Sequence, residues 1–88
     1  MKPITLTAVI IDDEPEAIKG MQALLENQKE VIIAGTASNA GDAISLCLRT
    51  RPDVVFLDIQ MPGKDGFALL KELHDHKCYP YTIFTTAF

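Results

Sequence analysis

Positive charge is scarce in this sequence. Lysine and arginine number 8 against 12 aspartates and glutamates, for a formal net charge of -4, and the basic residues are scattered along the chain. A nucleic-acid surface needs clustered cations to meet the phosphate backbone, so no direct nucleic-acid binding by this segment is expected. Any phosphate chemistry here must recruit positive charge from outside. Long apolar runs are absent too. The opening stretch, Met1 to Glu14, carries a single lysine and nothing of the length that a signal peptide or a membrane span requires, which predicts no membrane association and a cytoplasmic location. Cysteine is limited to Cys47 and Cys78, with no C-x-x-C pair and no histidine at zinc-ligand spacing; both read as reduced, structural thiols. Low-complexity tracts and linkers are lacking. The 88 residues therefore read as one domain, close to the size at which a single core becomes marginal.

What is present is an alternation of short apolar runs with stretches of helical period. The runs Ala8 to Ile11, Val31 to Ala34, Val54 to Leu57 and Tyr81 to Thr85 have strand length. Between the first two, Pro15 opens a segment in which Ile18, Met21 and Leu25 make one apolar face, with proline favoured in a first helical turn. Asn39 followed by Asp42 resembles a capping box, after which Ala40, Ile44, Cys47 and Leu48 share a face until Arg51-Pro52 stops the helix. A third helix is expected after Gly66, with Phe67, Leu70 and Leu73 inward and Lys71, Glu72 and Asp75 outward. The order β-α-β-α-β-α-β predicts an α/β fold with a mostly parallel sheet and helices on its faces.

The most informative stretch is VVFLDIQMPGKDGF, Val54 to Phe67. Four consecutive apolar residues read as a strand buried on both faces, and a charge is tolerated there only where the strand surfaces, so Asp58 belongs at its carboxyl end. The first strand likewise runs into Asp12-Asp13-Glu14, and the fourth ends near Thr85-Thr86. In open parallel sheets ligands bind beyond the carboxyl strand ends, where the strand order reverses. Taken singly, each residue has an ordinary explanation: Asp13 and Glu14 as helix-start anions, Asp58 as a turn former before Pro62 and Gly63, the threonines as strand residues. Acids at two strand ends together are not explained that way, because clustered carboxylates repel unless a cation holds them. The cluster calls for a hard divalent metal.

With VIIDDEP at Val9 to Pro15, VVFLDIQMPGKDGF at Val54 to Phe67 and FTTA at Phe84 to Ala87, the whole chain resembles the receiver domains of two-component response regulators. The wording IDDEP with IFTTAF looks most like the LytTR-type subgroup. The resemblance implies a flavodoxin-like sheet of order 2-1-3-4, in which the first and third strands are neighbours. It also implies that Asp58 is the phosphoacceptor, charged by a sensor histidine kinase or phosphotransfer protein. Mg²⁺ or Mn²⁺ would be held directly by Asp13 and Asp58, through water by Asp12 and by the backbone carbonyl of Gln60. Thr86 would be the switch hydroxyl that meets the phosphoryl group, and Ala87 would offer its backbone N-H. Such a domain is not an enzyme beyond its own phosphoryl transfer and dephosphorylation; it drives an output domain, here one of LytTR DNA-binding type.

The resemblance also implies a further helix, a fifth strand carrying a lysine, and a last helix, whereas the sequence stops at Phe88 and Lys64 stands in the wrong place to substitute. Residues 1-88 thus read as a single, C-terminally truncated receiver domain, with a homodimer expected from an uncovered fourth strand. The alternative is a truncated or pseudo-receiver serving only as a protein-interaction or dimerisation module. Other classes fit poorly. A haloacid-dehalogenase-type phosphatase needs an acid where Gln60 stands, Pro62 occupies a ligand position of an EF-hand loop, and acids after the first strand would repel a flavin phosphate.

Overall fold

The computed structural model describes residues 4–59 and 66–85. Within them the chain runs β1 (Leu6–Ile11), α1 (Pro15–Glu26), β2 (Val31–Ala37), α2 (Ala40–Thr50), β3 (Val54–Asp58), α3 (Gly66–Asp75) and β4 (Tyr81–Thr85). The strands form one parallel sheet in the order β2-β1-β3-β4, the flavodoxin-like α/β arrangement that was expected. The chain steps from β1 outward to β2, then back past β1 to β3. With right-handed crossovers that reversal puts α1 on one face and α2 and α3 on the other.

Register sorts the side chains. Residues paired across parallel strands share a face, so Val9 with Val55 and Ile11 with Leu57 lie together. They pack against Ala43, Leu46 and Cys47 of α2 and Leu69 and Leu73 of α3. Each large side chain fully withdrawn from water here contributes roughly 1.5–3 kcal/mol. The opposite face carries Ala8 with Val54 and Tyr81, and Ile10 with Phe56 and Ile83. Ala8 and Ile10 are buried there, but Val54 and Phe56 are only half-buried and Tyr81 is 72% exposed.

The strands run longer than their apolar cores suggest. β1 starts at Leu6, and β2 continues through Gly35 and Thr36 to Ala37, because pairing with β1 overrides the weak strand preference of glycine. Ala8 pairs with Ile33 but Val9 with Gly35, so Ala34 bulges out of the ladder. Gly35 then passes beneath α2, where an added Cβ would stand 2.9 Å from Leu46 Cδ1. Only glycine permits so close an approach.

The helices follow their end signals. Pro15 sits in the first turn of α1, whose Ile18, Met21 and Leu25 are half-buried with no residue fully covered. Asn39 caps α2 reciprocally: its Oδ1 accepts the Asp42 N-H at 2.9 Å and its Nδ2 donates to the Asp42 carboxylate at 3.0 Å. The helix ends at Arg51 in the left-handed region, φ 47°, where the N-H donates to the Cys47 carbonyl. On its inner face Ala43, Leu46 and Cys47 are buried, while Ala40, Ile44 and Leu48 only border the core.

α3 departs from expectation in its phase. Phe67 does not point inward; it is 64% exposed, and Gly66, Leu69 and Leu73 take the buried stripe. Gly66 rests directly on Leu57, so the smallest residue faces the sheet and the ring beside it turns outward. The other end closes with Lys77 at φ 57°, the Cys78 N-H reaching the Leu73 carbonyl and the Lys77 N-H the His74 carbonyl, each at 2.9 Å. That is a Schellman-type ending with lysine where glycine is usual. Arg51 Nη1 adds long contacts to the carbonyls of Lys77 at 3.3 Å and His76 at 3.5 Å, joining the ends of α2 and α3. His74 and His76 are both exposed here, His74 with its ring centroid 5.1 Å from that of Tyr79.

Both cysteines are free and buried. Burial, and secondarily the neighbouring Cys78 thiol, pushes the Cys47 thiol up to about 12, so it stays protonated and unreactive. Among the described residues no helix is long and apolar enough to cross a membrane.

Candidate functional site

The site lies at the carboxyl ends of β1 and β3, on either side of the point where strand order reverses. β1 delivers Ile11 into the core, and the chain emerges with Asp12 and Asp13. β3 delivers Leu57 into the core and emerges with Asp58, which pairs in register with Thr85 of β4. Carboxylate oxygens of Asp12, Asp13 and Asp58 all lie within 4.8 Å of one another. Asp12 and Asp58 are buried and Asp13 is half-buried.

Asp12 is also tied into the backbone. Its N-H donates to the Ala37 carbonyl at 3.1 Å, and its Oδ1 accepts the Glu14 N-H at 2.9 Å, turning the chain from β1 into α1. Glu14, at the N-cap of α1, makes no side-chain capping bond, so capping does not account for it. Burial raises the Asp12 carboxyl above its ordinary value; the Glu14 N-H opposes that, and the charges of Asp58, Asp13 and Glu14 push it further up. A carboxyl displaced by both desolvation and like charge marks a place where a cation would relieve strain on the ionised form.

The donor set suits a hard divalent ion. Among the described residues it consists of carboxylate oxygens, the donors Mg²⁺ prefers. One carboxylate oxygen from each of the three lies close enough to the others for a single ion to be held among them. Gln60, Thr86 and Ala87 lie outside the described residues, as do Met61, Pro62, Gly63, Lys64 and Phe88. Thr85 stands alongside Asp58.

Two structural features at this rim were not legible as such. Gly66 opens α3 against β3 and β4: an added Cβ would meet Leu57 Cδ2 at 3.2 Å and Phe84 Cε1 at 3.4 Å. Beside it the rings of Phe67 and Phe84 pack with centroids 5.2 Å apart, tilted by 42°. The only sequence signal was a glycine followed by an aromatic at the start of a helix.

Known proteins resemble this chain in sequence and fold. A family model described as the response regulator receiver domain matches residues 8–88. The transcriptional regulatory protein BtsR of Escherichia coli K12 is 41% identical over 83 residues, covering 94% of this chain and 34% of that protein. The sensory transduction protein LytT of Bacillus cereus is 40% identical over the same length and shares. The chain thus spans about a third of these curated relatives. Among solved structures, the signal receiver domain of a NarL response regulator from Mycobacterium tuberculosis superposes with a TM-score of 0.88 at 27% identity, covering 98% of this chain and 69% of that one. The isolated receiver domain of RcsB from Salmonella enterica serovar Typhimurium, solved with the phosphomimetic BeF3-, gives 0.84 at 26% identity, covering 93% and 62%.

Proposed function

The chain belongs to the response regulator receiver domain family, and from that premise we propose that Asp58 is its phosphoacceptor, charged by a phosphohistidine on a sensor histidine kinase or phosphotransfer protein. The observation that carries this reading is the convergence of Asp12, Asp13 and Asp58 at one rim. As a receiver domain the chain is a signalling module of a two-component system, and its chemistry is confined to itself. A carboxylate oxygen of Asp58 attacks phosphorus while the imidazole leaves, giving an acyl phosphate. β3 is paired on both sides, to β1 and to β4, which fixes the nucleophile for in-line attack. Asp13 and Asp58 directly, Asp12 through water and the Gln60 carbonyl would hold Mg²⁺ or Mn²⁺, which would supply the positive charge that an acidic pocket lacks. Thr86 and Ala87, next along from β4, donate to the phosphoryl oxygens in this reading.

Acetyl phosphate with Mg²⁺ should add one phosphoryl group by mass, and Asp58→Asn should abolish the addition. Label persisting in that variant would move the acceptor to Asp12 or Asp13; no label on the wild-type chain would leave an interaction module.

Residues 1–88 are taken as a single domain in the cytoplasm, joined in the parent regulator to an output domain. The likeness to LytT and the IDDEP and IFTTAF wording support a LytTR-type DNA-binding output. Among the described residues β4 borders the sheet with Tyr81 and Ile83 exposed, which supports a homodimer pairing two such strands antiparallel about a two-fold axis.

A further inference from the structure

We infer that the Phe67–Phe84 ring pair, seated by Gly66, is a positioning device for the acid rim. The inference rests on the reading of the rim as a divalent-cation and phosphoryl site and adds residues that touch neither group. Phe67 is the largest exposed side chain of α3, and an isolated exposed aromatic is ordinary. This one is not isolated: it lies on Phe84, which is itself 37% exposed.

What the pair holds is decided by register. Leu57 pairs with Phe84, and the next pair along is Asp58 with Thr85. The first turn of α3 therefore rests on the two residues immediately below the rim. A Cβ placed on Gly66 would stand 3.2 Å from Leu57 and 3.4 Å from Phe84, so the helix start seats this closely on both because the residue there is glycine. Among the described residues β4 is paired to β3 alone, and its carboxyl end lies beside the rim. The tilted ring contact from α3 supplies lateral support there, in the geometry aromatic pairs favour. Support of this kind behind the ligands sets how well a metal site is formed.

Phe67→Ala removes mostly solvent-exposed surface, so the fold should survive. Titrating Mg²⁺ against the NMR shifts of Asp13 and Asp58 in the wild-type chain first tests the site itself; no binding there sinks the parent reading and this inference with it. Given wild-type binding, Phe67→Ala should weaken Mg²⁺ by about tenfold, the low end of the effect of losing support behind a metal ligand, and slow labelling by acetyl phosphate. Phe67→Tyr should restore both, and Phe67→Ala in a Phe84→Ala background should add little. A Phe67→Ala chain that loses thermal stability but binds Mg²⁺ as the wild type does would overturn the inference, as would full additivity of the two alanines.

Discussion

β3 carries an aspartate just before its first residue and another at its last, and the two have opposite surroundings. Asp53 is exposed yet satisfied by partners. Its Oδ2 accepts from the Thr7 N-H at 2.9 Å and the Thr7 hydroxyl at 3.2 Å, its N-H donates back to the Thr7 carbonyl, and its carbonyl accepts from the Tyr81 N-H. It clasps β1, β3 and β4 at their amino ends. Asp58 is buried, and its neighbours include two more carboxylates. Donors converge on Asp53, and like charges crowd Asp58. The sheet is thus fastened at one end, and at the other it holds charge that a cation would offset.

Exchanging the two aspartates' roles should fail in opposite ways. The largest effect is expected at Asp58: Asp58→Asn should lose all phosphoryl label in mass spectra, while an amide isosteric with the carboxylate leaves the melting temperature little changed. A marked fall in melting temperature would mean that Asp58 is a structural residue like Asp53. Asp53→Ala should keep the label and cost about 1–2 kcal/mol from the lost charge-assisted bonds. Each kcal/mol lowers the midpoint of a domain this small by roughly 4–8 °C. Lost labelling with an intact melt would break the comparison from the other side.

A smaller effect lies in the core between the two ends. Cys47 has a folded pKa of about 12 against an ordinary 9.0. A raised folded pKa gives stability that is fully present below pH 9.0 and declines as pH rises toward about 12. Denaturant midpoints measured over that window should fall more steeply for the wild type than for Cys47→Ala; equal slopes would show that the thiol is not the cause. The smallest concerns the left-handed residue that ends α3. Lys77→Gly should stabilise the chain by about 0.5–1 kcal/mol, since lysine bears a Cβ penalty at φ 57° that glycine escapes. No gain in a thermal melt would imply that the lysine stem packs usefully.

The acid end was legible because its signal is local: an apolar run that stops at a carboxylate betrays a strand end, and two such stops betray a rim. The fastened end was not, because Thr7 and Asp53 are 46 positions apart and nothing in either neighbourhood announces the other. Helix ends were readable at Asn39 and Arg51 for the same local reason. The phase of α3 was misread because periodicity treats Phe67 as core and ignores Gly66, which can approach the sheet only because it has no side chain. The last residues of β2 were hidden by Gly35, which becomes strand through its partner rather than through its own preference and so masks the continuation to Thr36 and Ala37.

The contacts of Arg51 with the last carbonyls of α3 have a mechanical consequence. Together with the backbone closure at Lys77 and Cys78, they pin α3 at the end remote from the acids and leave that end as a fulcrum. A ten-residue helix is a rod of roughly 15 Å. A rotation of about 4° about that end would carry the helix start through roughly 1 Å, a displacement on the scale that reacting groups feel, so the close seating of Gly66 on Leu57 and Phe84 is where such a swing is resisted.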